Sequence, residues 1–336
     1  MLFPLSYYLF FFTLNLGVII SISSSSWFGA WVGLELNMMS FIPLITLKMN
    51  SNFSEASLKY FLIQALGSAL LISSSFLSFI SPLFSYILIL LALLLKIASA
   101  PFHFWFPQVA SGLMWFQILL LSTIQKLAPM ILISYLMLSN FLIKLTIFSA
   151  VLSALVGALG GLNLLFLPKI IAFSSINHMS WMLIAITISD MFWMIYFIFY
   201  FFILLSITSL FQKLQTFTLS ESMKTSQKNS FLSILITLNF FSLGGLPPFT
   251  GFLPKWMIIQ IMMNLNLFVP LFFLLLSALM TLYYYLRIMI PFLLLSNSSM
   301  MFSFKSKPPM LKSIPLFLKM AFNFLGMIFP IIFIFL

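Results

Sequence analysis

Hydrophobic residues fill most of this chain in long runs, and short polar stretches separate the runs. A helix needs about 20 predominantly apolar residues to cross a bilayer, and it satisfies its own backbone hydrogen bonds. The runs do not alternate with a period of two, which argues against a membrane β-barrel. We therefore predict an all-α polytopic membrane protein with about eleven transmembrane helices.

Prolines, charged residues and polar clusters bound the expected helices. The predicted ranges are 3–22, 26–47, 55–79, 83–106, 111–137, 141–160, 168–188, 191–213, 230–246 with a continuation over 251–264, 268–294 and 315–335. No basic residue precedes the first run, so we predict a retained helix rather than a cleaved signal peptide.

Composition agrees with a membrane protein. The 336 residues are 63% hydrophobic and only 6% charged, whereas soluble domains are about 25% charged. Fifteen Lys and Arg outnumber four Asp and Glu, a balance that would suggest nucleic acid in a soluble protein. Here the basic residues stand mainly in loops, where they orient helices, so we predict no nucleic-acid partner.

Loop charge predicts the orientation. The loops after even-numbered helices contain most of the basic residues: Lys48, Lys169, Lys213, Lys224, Lys228, Lys305, Lys307 and Lys312. The other loops contain little beyond Lys144 and Asp190. Because basic loops stay on the side of synthesis, we expect the N-terminus on that side and the C-terminus on the opposite side.

The chain offers few groups for cofactors. It has no cysteine, which excludes Cys-ligated iron–sulfur clusters, disulfides and thiolate zinc sites. We find no dinucleotide fingerprint and no P-loop. A haem held by His103 and His178 is conceivable, but two histidines carry little specificity. We therefore predict no cofactor and no metal in this chain, and electron chemistry linked to it belongs in a partner.

Four ionisable residues stand inside apolar runs: Glu35, Lys96, Lys126 and Lys255. A charge at the middle of a bilayer costs about 2.5–3.5 kcal/mol on insertion scales, and such residues commonly serve ion pathways and proton relays. The alternative is that the lysines reach the headgroups from helix ends. His103 and His178 are secondary candidates, although His103 also fits an interfacial aromatic belt.

Prolines follow or precede the three lysines. Pro101 follows Lys96, Pro129 follows Lys126, and Pro247, Pro248 and Pro254 precede Lys255. Proline removes a backbone hydrogen bond, and freed carbonyls are tolerated at membrane depth only within protein or a wet cavity. We therefore predict helix breaks beside the lysines and a polar interior around them.

Two further patterns predict how helices pack. Small residues repeat every four positions over 149–161, which lets a neighbouring helix approach closely. Glu55 and Lys59 are four apart near a helix start, with Ser54 as the expected N-cap, and we interpret them as a structural pair at the membrane surface.

The fourth and ninth predicted helices run in opposite directions, because they are five positions apart in the order of helices, which is an odd number. Each contains a lysine beside a break, a pattern found in transporters with inverted repeats and discontinuous helices. We predict one transmembrane domain over 1–336, with N-terminal helices in 1–80, a first repeat in 83–213 and a second repeat with the C-terminal helix in 230–336.

Five segments carry a resemblance to a known family: 27–37, 55–61, 96–107, 173–178 and 243–256. They resemble, in order, the antiporter-like membrane subunits of mitochondrial respiratory complex I, NADH:ubiquinone oxidoreductase, in an insect-type form. More distantly, the chain is similar to cation/proton antiporter subunits.

The resemblance implies a multi-pass subunit of the mitochondrial inner membrane, with the N-terminus in the matrix and the C-terminus facing the intermembrane space. It implies that Glu35, Lys96, Lys126 and Lys255 carry a proton path, with His103 and His178 in secondary roles. NADH, FMN, iron–sulfur clusters and ubiquinone would belong to partner subunits. The implied partners are other membrane-arm subunits and bilayer lipid, with cardiolipin a candidate.

The implied mechanism is a charge switch. Two unit charges 4 Å apart interact by about 4 kcal/mol at an effective dielectric constant near 20, and moving one charge across 100 mV requires about 2.3 kcal/mol. Gaining or losing Glu35 as a neighbour could therefore decide whether Lys96 keeps its proton. Protons would then pass through water and Lys126 towards Lys255.

Three other functions compete with a proton-translocating subunit. A scaffold subunit would use its lysines only to pair with partner helices or lipid. An independent cation/proton antiporter would need acidic residues inside the spans, and the chain has few. A solute carrier would need a cluster of substrate-reading polar groups, which we do not find.

Overall fold

The computed structural model describes residues 5–46, 50–78, 80–137, 139–226, 230–247 and 249–297. This part of the chain forms helices, with one isolated β-bridge between Phe166 and Thr218. The helices are α1 Leu5–Ser23, α2 Trp27–Ile45, α3 Ser51–Leu77, α4 Pro82–Ile97, α5 Trp105–Ser111, α6 Trp115–Ser122, α7 Ile124–Leu136, α8 Asn140–Gly160, α9 Leu167–Ile188, α10 Asp190–Leu214, α11 Leu219–Ser226, α12 Ser230–Gly244, α13 Phe252–Asn264 and α14 Phe268–Asn297.

Long apolar helices dominate the described part of the chain. Eight segments there are long and apolar enough to span a bilayer, with α6 and α7 together forming one of them. Two further apolar helices there are shorter: α4 and the Ser233–Gly244 part of α12. The predicted all-α membrane fold is confirmed, whereas the last predicted helix, 315–335, lies outside the described residues.

The chain forms two compact units. The first comprises Met1–Ser153 with Ile186–Ile188, and the second comprises Ala154–Ala185 with Ser189–Leu336. The division predicted from the sequence, at 1–80, 83–213 and 230–336, stays a prediction.

In the first unit, α1 and α2 pack with their backbones in contact. A Cβ atom placed on Gly17 would lie 2.8 Å from the backbone nitrogen of Asn37, and one on Gly33 would lie 2.5 Å from that of Ser21. Without a hydrophobic effect between helices in lipid, such close approach supplies the van der Waals contact that holds them together.

The second unit contains a helix pair with the same geometry. A Cβ atom on Gly157 of α8 would lie 2.7 Å from the backbone nitrogen of Asn177 and 2.9 Å from the carbonyl oxygen of Phe173, both on α9. Asn177 also donates a 3.2 Å hydrogen bond to the carbonyl of Ala154. The close approach predicted from the small residues over 149–161 is therefore confirmed for this helix pair.

The surface pair near the start of α3 is confirmed, but its predicted cap is wrong. Lys59 Nζ donates to Glu55 Oε1 at 2.6 Å, across one helical turn. The helix begins one turn earlier than expected, after Asn50, so Ser54 lies inside it and donates to the carbonyl of Ser51.

Helix α11 falls in a stretch that the sequence analysis assigned to a loop. Glu221 accepts hydrogen bonds from the backbone N–H groups of Phe217 at 3.1 Å and Thr218 at 3.2 Å, and the Thr218 hydroxyl accepts from the Glu221 N–H. This reciprocal cap begins the helix. The same backbone hydrogen bonds lower the pKa of Glu221.

Candidate functional site

Lys96 lies in the last turn of α4, where the helix breaks. Ala98 takes the left-handed conformation (φ 65°), its N–H bonds to the Leu95 carbonyl, and the N–H of Ser99 bonds to the Leu94 carbonyl at 3.1 Å. This is the Schellman arrangement that ends a helix. The break predicted between Lys96 and Pro101 is therefore confirmed, although the predicted continuation of one helix to residue 106 is wrong.

The side chain of Lys96 lies inside the first unit. It is only 6% exposed, and its stem crosses Gly67 of α3, where an added Cβ would lie 3.2 Å from Cγ and 3.5 Å from Cε. Gln64, one turn earlier on α3, donates a 3.4 Å hydrogen bond to the Lys96 carbonyl. This packing argues against a side chain that reaches the headgroups.

Glu35 of α2 is half-buried and faces the same polar region. Its carboxylate charge acts electrostatically on the amine of Lys96 and on the hydroxyl of Tyr60. Within the described part of the chain, Lys59 and Glu55 form the ion pair found at 4.0 Å or less. Glu35 and Lys96 are farther apart than this limit, so they interact without direct contact. Glu35 Oε2 is buried and has no hydrogen-bond partner in the described part of the chain.

Lys126 lies in the first turn of α7 and is 1% exposed. Its Nζ is 4.4 Å from the centroid of the Phe106 ring on α5. An ammonium this close to an aromatic face is stabilised by the ring quadrupole, most strongly where water is excluded. The buried amine of Lys126 is thus packed against the face of the Phe106 ring.

The break beside Lys126 lies on the other side from the one expected. Pro129 stands inside α7, whereas the helix is interrupted before the lysine at Thr123 (φ −120°, ψ −80°). The hydroxyls of Ser122 and Thr123 donate to the carbonyls of Ile118 and Leu119 at 2.8 and 2.6 Å. These side chains satisfy the end of α6 locally, a role that the proline-based prediction overlooked.

Tyr60 and Gln125 are polar members of this region that the sequence analysis missed. The Tyr60 hydroxyl donates to Gln125 Oε1 at 3.0 Å, which joins α3 to the residue before Lys126. The sequence does contain a pattern that indicates them: Tyr60, Gln64 and Gly67 recur at helical spacing, and all three lie on the buried face of α3. That face could have been identified as the partner of the lysine helices.

His103 lies in the segment between α4 and α5. It is buried, its ring centroid is 4.0 Å from that of Phe104, and its Nδ1 has no hydrogen-bond partner among the described residues. The histidine therefore belongs to the same helix break as Lys96.

In the second unit, the break between α12 and α13 repeats the geometry found after Lys96. Gly245 is left-handed (φ 74°), its N–H lies 3.2 Å from the Ser242 carbonyl, and the N–H of Leu246 bonds to the Phe241 carbonyl. Both predicted pieces of the ninth helix are thus present, with Pro247 in the gap.

Lys255 lies in the first turn of α13 and closes this break. It is 6% exposed, and its Nζ donates to the Gly244 carbonyl at 2.9 Å. A cation at a helix C-terminus is favoured by the helix dipole and by the unpaired carbonyls there. The lysine therefore stabilises the end of α12 directly.

His178 of α9 belongs to a buried cluster of aromatic side chains in the second unit. Its Nδ1 is 2.8 Å from the Tyr196 hydroxyl, and its ring centroid is 5.1 Å from that of Tyr200. Tyr284 and Tyr285 of α14, both buried, pack edge to face with their ring centroids 4.6 Å apart. The sequence analysis identified the histidine but none of these tyrosines.

A metal site is not apparent in the described part of the chain. No group of three or more His, Cys, Asp or Glu side chains there could hold an ion. The buried lysine amines, the Glu35 carboxylate and the two histidine rings can hold and release protons. Lys96, Lys126 and Lys255 each lie next to a helix interruption.

Comparison with known proteins identifies a family and several relatives of this chain. A family model described as "NADH:quinone oxidoreductase/Mrp antiporter, TM" matches residues 24–81 and 75–281. The chain is 45% identical to NADH-ubiquinone oxidoreductase chain 2 of Anopheles gambiae over 317 residues, which cover 91% of this chain and 89% of the relative. It is 36% identical to the Bos taurus protein of the same name over 330 residues, covering 95% and 93%.

Solved structures share the fold. A chain of respiratory complex I from Thermus thermophilus superposes with a TM-score of 0.81 at 23% identity, covering 96% of this chain and 78% of that one. A chain of the Mrp complex from Dietzia superposes with a TM-score of 0.71 at 16% identity, covering 82% and 58%.

Proposed function

Because this chain belongs to the NADH:quinone oxidoreductase/Mrp antiporter family of membrane proteins, we propose that it is a proton-translocating membrane-arm subunit of respiratory complex I. It would act as part of the H⁺-translocating NADH:ubiquinone reductase. Electron transfer from NADH through FMN and iron–sulfur clusters to ubiquinone would take place in partner subunits, and this chain would move protons.

One observation carries the proposal: each of the three buried lysines lies within one turn of a helix interruption. Lys96 ends α4, Lys126 begins α7, and Lys255 begins α13. Placing a charge at membrane depth costs about 2.5–3.5 kcal/mol on insertion scales, and broken helices expose backbone polar groups that water can reach. Both features cost stability, and both suit a path for protons.

Within the first unit, Glu35 can govern the proton on Lys96. Their charges interact without direct contact, so a small movement of α2 relative to α4 changes the interaction strongly. A charge change in a neighbouring subunit would move or neutralise Glu35, and Lys96 would then release its proton towards Lys126. Lys255 would serve the second unit in the same manner, with His103 and His178 as secondary groups.

A scaffold role has support at one position. Lys255 donates to the carbonyl at the end of α12, so its loss would harm folding even if no proton passed through it. For this reason the decisive variant is placed at Lys96, for whose amine the described part of the chain shows no hydrogen bond to a helix end like that of Lys255.

The proposed location is the mitochondrial inner membrane, with the N-terminus in the matrix and the C-terminus facing the intermembrane space. Relatives named as chains of NADH-ubiquinone oxidoreductase support assembly with other membrane-arm subunits. Bilayer lipid, including cardiolipin, would cover the apolar outer faces.

Lys96→Met tests the proposal in the assembled complex reconstituted in liposomes. Methionine keeps the apolar stem and removes the amine, so we expect NADH oxidation to continue while fewer protons are moved per electron. The measurement is the proton-to-electron ratio from simultaneous NADH absorbance and a pH-sensitive dye. Lys59→Met, at an exposed surface pair on α3, is the matched control and should keep the normal ratio.

An unchanged ratio in Lys96→Met would overturn the proposal. Loss of assembly, with a normal ratio in the complexes that do assemble, would favour the scaffold function instead.

A further inference from the structure

Two neighbouring helices, α2 and α5, hold the ring of Tyr60 on α3 in place. The side chain is 1% exposed, packs edge-on against Phe41 of α2 at 5.1 Å between centroids, and lies 6.0 Å from Trp105 of α5. The indole of Trp105 is itself held by a 3.2 Å hydrogen bond to the Leu95 carbonyl. With the ring held in place, the hydroxyl hydrogen keeps rotational freedom about the C–O bond.

Two groups of different chemistry act on the hydroxyl. It donates to Gln125 Oε1 at 3.0 Å. The carboxylate charge of Glu35 on α2 also acts on it without a direct hydrogen bond, and Glu35 Oε2 is a buried acceptor without a partner among the described residues. The phenol is thus bonded to the residue preceding Lys126 and lies within the electrostatic reach of the carboxylate of α2.

The amide of Gln125 is held by few interactions. Its Nε2 is buried and has no hydrogen-bond partner in the described part of the chain, so the bond from Tyr60 is the one seen at its side-chain oxygen. An amide does not exchange protons in the physiological range, whereas a carboxylic acid and a lysine amine do. The observed hydrogen bond therefore holds the phenol proton where it cannot be passed on.

We propose that Tyr60 gates proton transfer between Glu35 and the Lys126 side of the first unit, with its hydrogen bond to Gln125 as the closed state. In the open state the hydroxyl turns away from Gln125. The phenol oxygen then accepts a proton from protonated Glu35 while its own proton leaves to a water or amine on the α7 side. One O–H bond forms as another breaks, so no net charge stays on the tyrosine. This inference rests on the proposed function.

The second unit carries a parallel feature. Gly17 and Asn37 of the α1–α2 pair correspond to Gly157 and Asn177 of the α8–α9 pair at one constant sequence offset, with the same close approach. The residue at that offset from Tyr60 is Tyr200, which is also fully buried and lies beside an ionisable group, His178. The same position on the following helix thus holds a buried tyrosine in both units.

Two variants break the Tyr60–Gln125 hydrogen bond from opposite ends. Tyr60→Phe keeps the packed ring and removes the hydroxyl, so NADH oxidation should continue with the same loss of proton-to-electron ratio as in Lys96→Met. Gln125→Leu keeps the volume and removes the acceptor, so an imposed pH gradient should decay faster through the reconstituted complex without NADH. Tyr135→Phe, at a half-exposed tyrosine on the helix that holds Gln125, is the control and should change neither quantity.

The outcomes separate this gate from the proposed function. If Lys96→Met lowers the ratio while Tyr60→Phe keeps the normal ratio, the gate is wrong and the proton path stands. If Lys96→Met has a normal ratio, the proposed function itself fails. Should Tyr60→Phe prevent assembly, a normal gradient decay in Gln125→Leu would overturn the gate by itself.

Discussion

At the scale of single residues, the two helix breaks use the same backbone conformation with different residues. Ala98 and Gly245 both have a positive φ, of 65° and 74°. A left-handed conformation costs an L-residue roughly 1–2 kcal/mol and costs glycine little. The first break therefore carries local strain beside Lys96, and the second avoids it beside Lys255.

Gly245→Ala should destabilise the second break by about 1–2 kcal/mol, the cost of the left-handed conformation. The added Cβ would also lie 3.0 Å from Cδ and Nζ of Lys255. We expect a lower temperature of thermal inactivation of the assembled complex. Gly244→Ala is the matched control, because its Cβ would meet Tyr285 at an ordinary 3.6 Å and no positive φ is involved. Equal effects of the two substitutions would contradict this account of the break.

At the scale of elements, local side chains decide where a helix stops. Thr123 interrupts the span over Trp115–Leu136, whereas Pro129 lies inside α7 without ending it. At the interruption, the Thr123 hydroxyl bonds to the carbonyl of Leu119 in the preceding turn. The interruption falls before Lys126 and places the lysine at a helix start. The pairing of helices also depends on single residues, because glycines allow the backbone of a neighbouring helix to approach closely.

Gly33→Ala should separate α1 from α2. The added Cβ would lie 2.5 Å from the nitrogen and 2.8 Å from the Cα of Ser21, and backbone atoms cannot yield as side chains do. Overpacking of this kind costs typically 1–3 kcal/mol. We expect reduced incorporation of the subunit into the complex, measured by native gel electrophoresis. Met39→Ala, at an exposed position of α2, should incorporate normally, and normal incorporation of Gly33→Ala would exclude backbone packing as the basis of the pair.

At the scale of the whole molecule, the charge of the loops predicts the orientation in the membrane. Lys213 in the last turn of α10 and Lys224 in the last turn of α11 are expected on the matrix side, and the start of α10 at Asp190 is expected on the opposite side. The chain has no cysteine, so a single introduced cysteine is the only thiol of this subunit that a reagent can label. Such a cysteine therefore reports on which side of the membrane its position lies.

Ser220→Cys and Asp190→Cys should therefore react from opposite faces of the inner membrane. Both positions are exposed. A membrane-impermeant maleimide should label Ser220→Cys in inside-out vesicles and Asp190→Cys in mitochondria without their outer membrane, detected by mass spectrometry of the chain. Labelling of both from one face would refute the predicted orientation.

The membrane fold, the isolated charges and the family resemblance could all be predicted from the sequence. Hydropathy, proline and charge are local properties, and the high cost of an unpaired polar group in lipid makes each of them informative. For that reason the placement of Lys96 and Lys255 beside helix breaks could be predicted residue by residue.

Which polar groups share one space was decided by the tertiary structure alone. The contacts of Tyr60 with Gln125, of Lys126 with Phe106 and of His178 with Tyr196 each join two different helices. Each contact depends on how far one helix is rotated about its axis against another, and that rotation is set by packing over the whole helix. Hydropathy finds the helices, but it does not determine which of their faces meet.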